Sequence, residues 1–250
     1  MKITLEKDQK IYFTSDTHFH HSNICKGTTK WDDSRTYRPY ETLSEMDNAL
    51  VEAINSTVGE NDILFHLGDW SFGGIEQIWE FRKQIKCKNI HLITGNHDHH
   101  ILGDKILPNC HFNYNNEIVD GETPNKYEDS RDSMFSVQTQ ELFKSVSTYK
   151  FLTVSIPQGR VNGQQLKNKK IRLVLCHFPI ASWHDMAKGV LHLHGHIHTP
   201  NEYKIGPGKM MDVGVDGSDG YKPYELREIM QLLAPQPVAG LLQHKFDHHN

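Results

Sequence analysis

The sequence predicts an α/β fold on three observations. Short apolar runs of strand length alternate with stretches whose apolar residues recur at helical spacing. Ile63–Thr94 reads as one strand–helix–strand unit, which implies parallel strands. Five of the apolar runs end in Asp, Asn, His or Gly, as expected where loops beyond the strand ends of an α/β sheet build a site.

The elements follow in chain order. Ile11–Ser15 (IYFTS) reads as a strand. Thr42–Thr57 reads as a helix: Leu43, Met46, Leu50 and Ile54 share one face, and Thr42 with Glu45 forms a capping box. Ile63–Leu67 is a strand, Ile75–Ile85 an amphipathic helix and Ile90–Thr94 a strand. Residues 107–140 are polar and aperiodic, and read as an irregular insertion. Phe143–Ile156 and Lys170–Cys176 read as two strands joined by a polar turn, Met210–Val215 as another strand and Tyr224–Leu233 as a last helix. The expected organisation is one domain over 1–233 and a tail over 234–250 containing Pro235, Pro237 and Gly240.

The chain has 250 residues, a formal net charge of −4, 37% hydrophobic residues and 23% charged residues. That suits a globular domain with a sizeable core rather than a disordered chain. The slightly acidic balance argues against broad binding of duplex nucleic acid, which draws on many phosphate-neutralising Lys and Arg. Cys25, Cys87, Cys110 and Cys176 form no C-x-x-C pair and suggest no disulfide framework, so a cytoplasmic setting is expected. MKITLEKDQK has no apolar signal-peptide centre, and no run approaches the ~18 apolar residues of a membrane span, so no membrane partner is expected. Nothing in the pattern sets an oligomeric state.

The strand ends carry the chemistry. IYFTS leads into Asp16-Thr-His18, ILFHL into Gly68-Asp69, and IHLIT into Gly95-Asn96-His97-Asp98. IRLVLC leads into His177, and LHLH into Gly195-His196-Ile-His198. Asp, Asn and His without Cys suit Mn, Fe or Zn. Seven candidate ligands exceed one tetrahedral site and suit two divalent ions sharing a carboxylate, about 3.5–4 Å apart. Such a pair clamps a phosphate and lowers the pKa of a bridging water. A lone D-x-H or G-D is ordinary turn chemistry; the five motifs in succession are far more specific.

Residues 191–200, LHLHGHIHTP, place four histidines at every second position, which a strand would present on one face. They read either as a four-histidine metal comb or as a strand ending in fewer ligands.

The five motifs resemble the calcineurin-like metallophosphoesterases, whose order is D-x-H, G-D, G-N-H-D, H and G-H-x-H. FTSDTHFHHSNI, Arg38-Pro-Tyr and MDNALVEAINSTVGENDILFHLGD extend the likeness to the small bacterial and phage-type phosphoesterases. The resemblance implies two mixed β-sheets packed together and flanked by helices, a four-layer α/β/β/α sandwich. It implies that Asp16, His18 and His198 bind one metal, that Asn96, His177 and His196 bind a second, and that Asp69 bridges both. His97 would protonate the leaving oxygen, and Asp98 would orient His97 by a hydrogen bond. In the comb, His196 and His198 become ligands and His192 and His194 supports.

The resemblance also implies a phosphoester substrate, leaning to a phosphodiester or nucleotide and extending to single-stranded nucleic acid, attacked in line by a metal-bridging hydroxide. A phosphomonoesterase and a catalytically silent metal-binding scaffold are the alternatives. GDWSFGG and GNHD lack the Arg and Glu of the protein phosphatases of the superfamily. His20 stands where the subset often has glycine. Arg38 and His21 are candidate substrate contacts; for Arg38, anchoring a loop is the competing role.

Overall fold

The computed structural model describes residues 1–31, 38–101, 139–161 and 163–238, and the backbone of 110–112 and 118–121. The strands are β1 (Lys2–Thr4), β2 (Ile11–Thr14), β3 (Ile63–His66), β4 (Asn89–Ile93), β5 (Cys110–Phe112), β6 (Ile118–Gly121), β7 (Ser145–Ser147), β8 (Tyr149–Ile156), β9 (Arg160–Val161), β10 (Gln164–Gln165), β11 (Lys169–Cys176), β12 (Leu191–His194), β13 (Met210–Asp212) and β14 (Tyr224–Glu225). The helices are α1 (Leu43–Thr57), α2 (Ile75–Gln84) and α3 (Leu226–Leu233).

Two five-stranded mixed sheets result, ordered β14-β2-β3-β4-β7 and β1-β8-β11-β12-β13. In the first, β2, β3, β4 and β7 run parallel and β14 antiparallel. In the second, β11, β12 and β13 run parallel, while β8 opposes β11. Strand alternation sorts the side chains. Ile11, Phe13, Ile63, Phe65 and Ile93 meet Leu152, Val154, Leu173, Leu175, Leu193 and Met211 in the core between the sheets, joined by Leu226, Ile229 and Leu233 of α3. Tyr12, Leu64, Ile90 and Leu92 face the other way, against Ile54 of α1 and Ile78 and Phe81 of α2. Burial on both faces explains why these strands read as unbroken apolar runs. The outer face of the second sheet is covered thinly: Val174 and Met210 pack against Trp183 and Val190, around the short helical turn Met186–Lys188.

The mixed α/β class, the two packed sheets and the capping box match expectation. Thr42 Oγ1 accepts the Glu45 N–H at 3.2 Å, and the Glu45 carboxylate accepts the Thr42 N–H at 2.9 Å. Three readings need correction. Phe143–Ile156 is not one strand: β7 pairs with β4 in one sheet, β8 pairs with β11 in the other, and the chain crosses between sheets at Thr148. The last helix begins at Leu226, because Tyr224 and Glu225 pair with Phe13 and Tyr12. Within 107–140, β5 and β6 form an antiparallel pair. Most of that insertion, and 239–250 of the tail, lie outside the described residues. Among the described residues no helix is long and apolar enough to cross a membrane.

Thr42→Ala removes half of the capping box, and a urea titration should show about 1 kcal/mol lost with the m-value unchanged.

Candidate metal centre

The β2–β3 ladder continues beyond the strands. Asp16 N–H donates to Gly68 O at 2.9 Å, His18 N–H to Asp69 O at 3.0 Å, and Phe72 N–H to Phe19 O at 2.7 Å. Gly195 N–H donates to His177 O at 2.9 Å, extending the β11–β12 ladder, and Val215 N–H donates to Ser15 O at 3.1 Å, tying the two sheets' loops together. Aiming side chains back across this surface forces the backbone out of the common regions. Asp16, His18, Asp69, His196 and His198 all have positive φ, between 44° and 73°. Non-glycine residues adopt that region rarely, and such strain gathers at functional sites. Two glycines make room. A Cβ on Gly95 would lie 2.2 Å from Asp69 Oδ1, and one on Gly195 would lie 1.9 Å from Ser15 Oγ.

The loops bring seven N and O donors together. His18 Nε2 and His198 Nε2 are 3.2 Å apart, and His198 Nε2 is 3.7 Å from Asp16 Oδ1. Asp69 Oδ2 lies 3.4 Å from His18 Nε2 and 3.5 Å from His177 Nε2, between two groups of donors. Asn96 Oδ1 is 3.1 Å from His177 Nε2 and 3.0 Å from His196 Nδ1. Donor atoms of Asp16, His18 and His198 lie within 4.8 Å of one another, as do those of Asp16, Asp69 and His177. Asp16 and Asp69 are buried, whereas Asn96 and His196 are exposed, so the second group forms the open side.

The arrangement fits cations. His177 Nδ1 is 2.8 Å from Leu67 O and His198 Nδ1 is 2.7 Å from an Asp216 oxygen. Both acceptors place the ring proton on Nδ1, so each Nε2 turns a lone pair inward. The His177 lone pair then faces Asn96 Oδ1, itself an acceptor. Acceptors facing acceptors repel unless a positive charge sits between them. Burial pushes the Asp16 pKa up to about 6, against the pull of His198 and His177. Burial likewise holds His18 well below the usual histidine value. A buried carboxylate among imidazoles matches the donor set of a divalent ion.

Several residues hold this set in place. Arg38 is buried; its Nε and Nη2 donate to Asp216 at 2.9 and 3.0 Å, its Nη1 to Thr17 O at 2.6 Å and its Nη2 to Asp16 O at 2.7 Å. The guanidinium thus lies beneath the D-x-H loop and anchors it, the competing role that the sequence offered beside a substrate contact. Asp216 was missed from the sequence; its position two residues after Gly214, at another strand end, was the available signal. Burial alone would raise its pKa, but Arg38 and the His198 hydrogen bond outweigh burial and hold it far below the carboxylate range. Burial lowers His198, but the Asp216 hydrogen bond and the charge of Asp16 reverse that and make the ring more basic.

Asp98 also differs from expectation. Its oxygens accept the N–H groups of Asp69, Trp70 and Gly95 at 2.8, 3.0 and 2.7 Å, so it clamps two loops rather than the His97 ring. Asp212 accepts from Thr199 and Gly214 in the same manner. His20 keeps the glycine-like backbone at φ 68°, held by Asp47 through its N–H and its ring. His192 and His194 are buried supports bonded to the carbonyls of Val174 and Gly195. His66 is buried against Thr17 Oγ1 at 2.8 Å.

His97 stays half-buried. Its N–H donates to Asp69 Oδ1 at 2.9 Å, and its ring stands 5.3 Å from His18 and 5.4 Å from Phe72. His21 packs 3.9 Å from the Phe72 ring and leaves its buried Nδ1 without a hydrogen-bond partner.

Asp216→Asn should weaken metal binding about 10- to 100-fold in a competitive chelator titration, the usual cost of losing a carboxylate behind a ligating histidine. Unchanged affinity would leave Asp216 a loop anchor alone.

Among known proteins, a stretch of 92 residues is 35% identical to Uncharacterized protein MJ1445 of Methanocaldococcus jannaschii, covering 36% of this chain and 47% of that one. The chain therefore matches about half the length of that relative. A solved structure, the protein of unknown function AQ665 from Aquifex aeolicus, superposes over 90% of this chain and 100% of its own, with a TM-score of 0.48 and 20% identity. The family model of the calcineurin-like phosphoesterases matches residues 9–200, a span that includes all seven converging donors, and the chain belongs to that family.

Proposed function

We propose that the chain is a metal-dependent phosphoesterase acting on a phosphodiester or nucleotide ester. The observation that carries this reading is Asp69 Oδ2 lying between His18 Nε2 and His177 Nε2, with the remaining donors gathered around each. Asp16, His18 and His198 would hold one divalent ion, Asn96, His177 and His196 a second, and Asp69 both; Mn, Fe or Zn suits the donors. When bound, the ions would polarise two phosphate oxygens and ease deprotonation of water near neutral pH.

The chain's own groups do the rest. The buried Asp16 and Asp69 fix the inner wall, and the exposed Asn96 and His196 leave the outer side open to a phosphoester. His97 is tied to Asp69 through its backbone N–H, with its ring free of the donor cluster's hydrogen bonds. On this reading it gives a proton to the departing alkoxide. Asp98 supports that step indirectly by holding the Gly95 loop against the Asp69 loop. His21 borders the same side against Phe72.

Protein supplied in turn with Mn, Fe and Zn should hydrolyse bis(p-nitrophenyl) phosphate faster than p-nitrophenyl phosphate. In a single turnover in isotopically labelled water, the label should appear on the phosphate product. The reverse substrate order would make the chain a monoesterase, hydrolysis of neither ester a silent scaffold, and label in the alcohol would exclude attack at phosphorus.

His97→Ala should lower kcat roughly 10²- to 10⁴-fold, the range for loss of a general acid. Metal content measured by elemental analysis should stay at the wild-type level; loss of metal would assign His97 to the ligand set.

A further inference from the structure

Two exposed rings border the centre. Phe72 is 38% exposed although Gly68, Asp69, Trp70 and Ser71 before it are buried. Phe178 is 41% exposed although its neighbour His177 is fully buried. Single exposed apolar residues are ordinary on a protein surface. These two are distinguished by position, since each follows closely on a candidate ligand in the chain and packs against histidines of the site.

Their contacts set them at opposite ends of the donor cluster. Phe72 stands 3.9 Å from His21 and 5.4 Å from His97, and His97 stands 5.3 Å from His18. Phe178 stands 4.9 Å from His177 and 4.7 Å from His196, on the other group of donors. The first end is extended by a further exposed apolar residue, Trp31, 6.0 Å from His21. The sequence of surfaces is ring, charged centre, ring. A matching ligand carries a flat ring on each side of one phosphate, because aromatic faces stack on bases with little regard to base identity. Arg38 directs its donors to Asp216 and to backbone carbonyls, so it offers no clamp for a further phosphate.

We propose that Phe72 and Phe178 are specificity-determining residues that stack the two nucleobases flanking a single phosphodiester. The substrate class is then an internucleotide linkage, in a dinucleotide or in a single strand. The inference rests on the phosphodiesterase reading above and narrows it.

The test uses the Mn-loaded full chain and four kinds of diester: adenylyl-adenosine, its two analogues lacking one base, a longer oligoadenylate, and ethyl p-nitrophenyl phosphate. Each missing base should raise KM between about fivefold and a hundredfold, the range for one base–aromatic stack. Phe72→Leu should abolish the preference for one base and Phe178→Leu the preference for the other, whereas Phe72→Tyr and Phe178→Tyr should retain them. Circular dichroism checks that each variant is folded. Equal KM values across the adenylyl series, or base preferences surviving both Leu variants, would overturn the inference. If ethyl p-nitrophenyl phosphate is still cleaved in that case, the phosphodiesterase reading stands; if no diester is cleaved, both fall. A lower KM for the oligoadenylate than for the dinucleotide assigns the substrate to single strands, and equal values assign it to dinucleotides.

Discussion

The centre depends on burying two carboxylates, Asp16 and Asp69, at the junction of the two sheets, where the bases paired with them are histidines. Desolvating a carboxylate costs several kcal/mol unless an opposite charge returns it. The pull of His198 and His177 offsets only part of that cost, and burial drives the Asp16 pKa up to about 6. The unpaired charge and the inward lone pairs of His177 and His198 ask for the same remedy, a cation. A divalent ion held by these donors would relieve both at once.

Such an arrangement persists only if the donors cannot relax apart. Three devices prevent it. The backbone ladder runs on past β2 and β3, so the loops carrying Asp16, His18 and Asp69 are hydrogen-bonded to each other like strands. Buried carboxylates outside the donor set, Asp98 and Asp212, bind backbone N–H groups and lock the turns. The Arg38–Asp216 pair joins the D-x-H loop to the loop after β13 and fixes the His198 ring. The left-handed backbones of five candidate ligands are tolerated because these bonds over-determine them.

The sequence made the donors legible and left their supports largely hidden. The donors are Asp, Asn and His placed directly after apolar runs, and a local pattern suffices to find them. Arg38 and Asp216 are 178 residues apart, and no local pattern joins them. The same limit explains Asp98: G-N-H-D suggests an Asp serving the neighbouring His, while the fold brings the Asp69 and Trp70 N–H groups, 29 and 28 residues away, within its reach. The break between β7 and β8 was hidden because both faces of a sheet sandwich are apolar, and a run continuing from one sheet into the other looks like one strand. In LHLHGHIHTP the alternation was informative in the opposite sense. Leu191 and Leu193 fill the core, so His192 and His194 face the other side as buried supports, and the two histidines after Gly195 join the donor cluster.

This division bears on how function is distributed in the chain. The donor residues are constrained in several ways: five by positive φ, His177 and His198 by hydrogen bonds behind the ring, and Asp16 and Asp69 by glycines that admit no Cβ. The exposed positions woven between them, Phe72, Phe178 and Ile197, carry none of those constraints. Phe72 packs against His21 and His97 at one end of the cluster, and Phe178 against His177 and His196 at the other. On the proposed reading, chemistry and selectivity therefore sit on the same loops but on different residues. A change of ring or size at the exposed positions can alter which ester is held without moving a ligand atom.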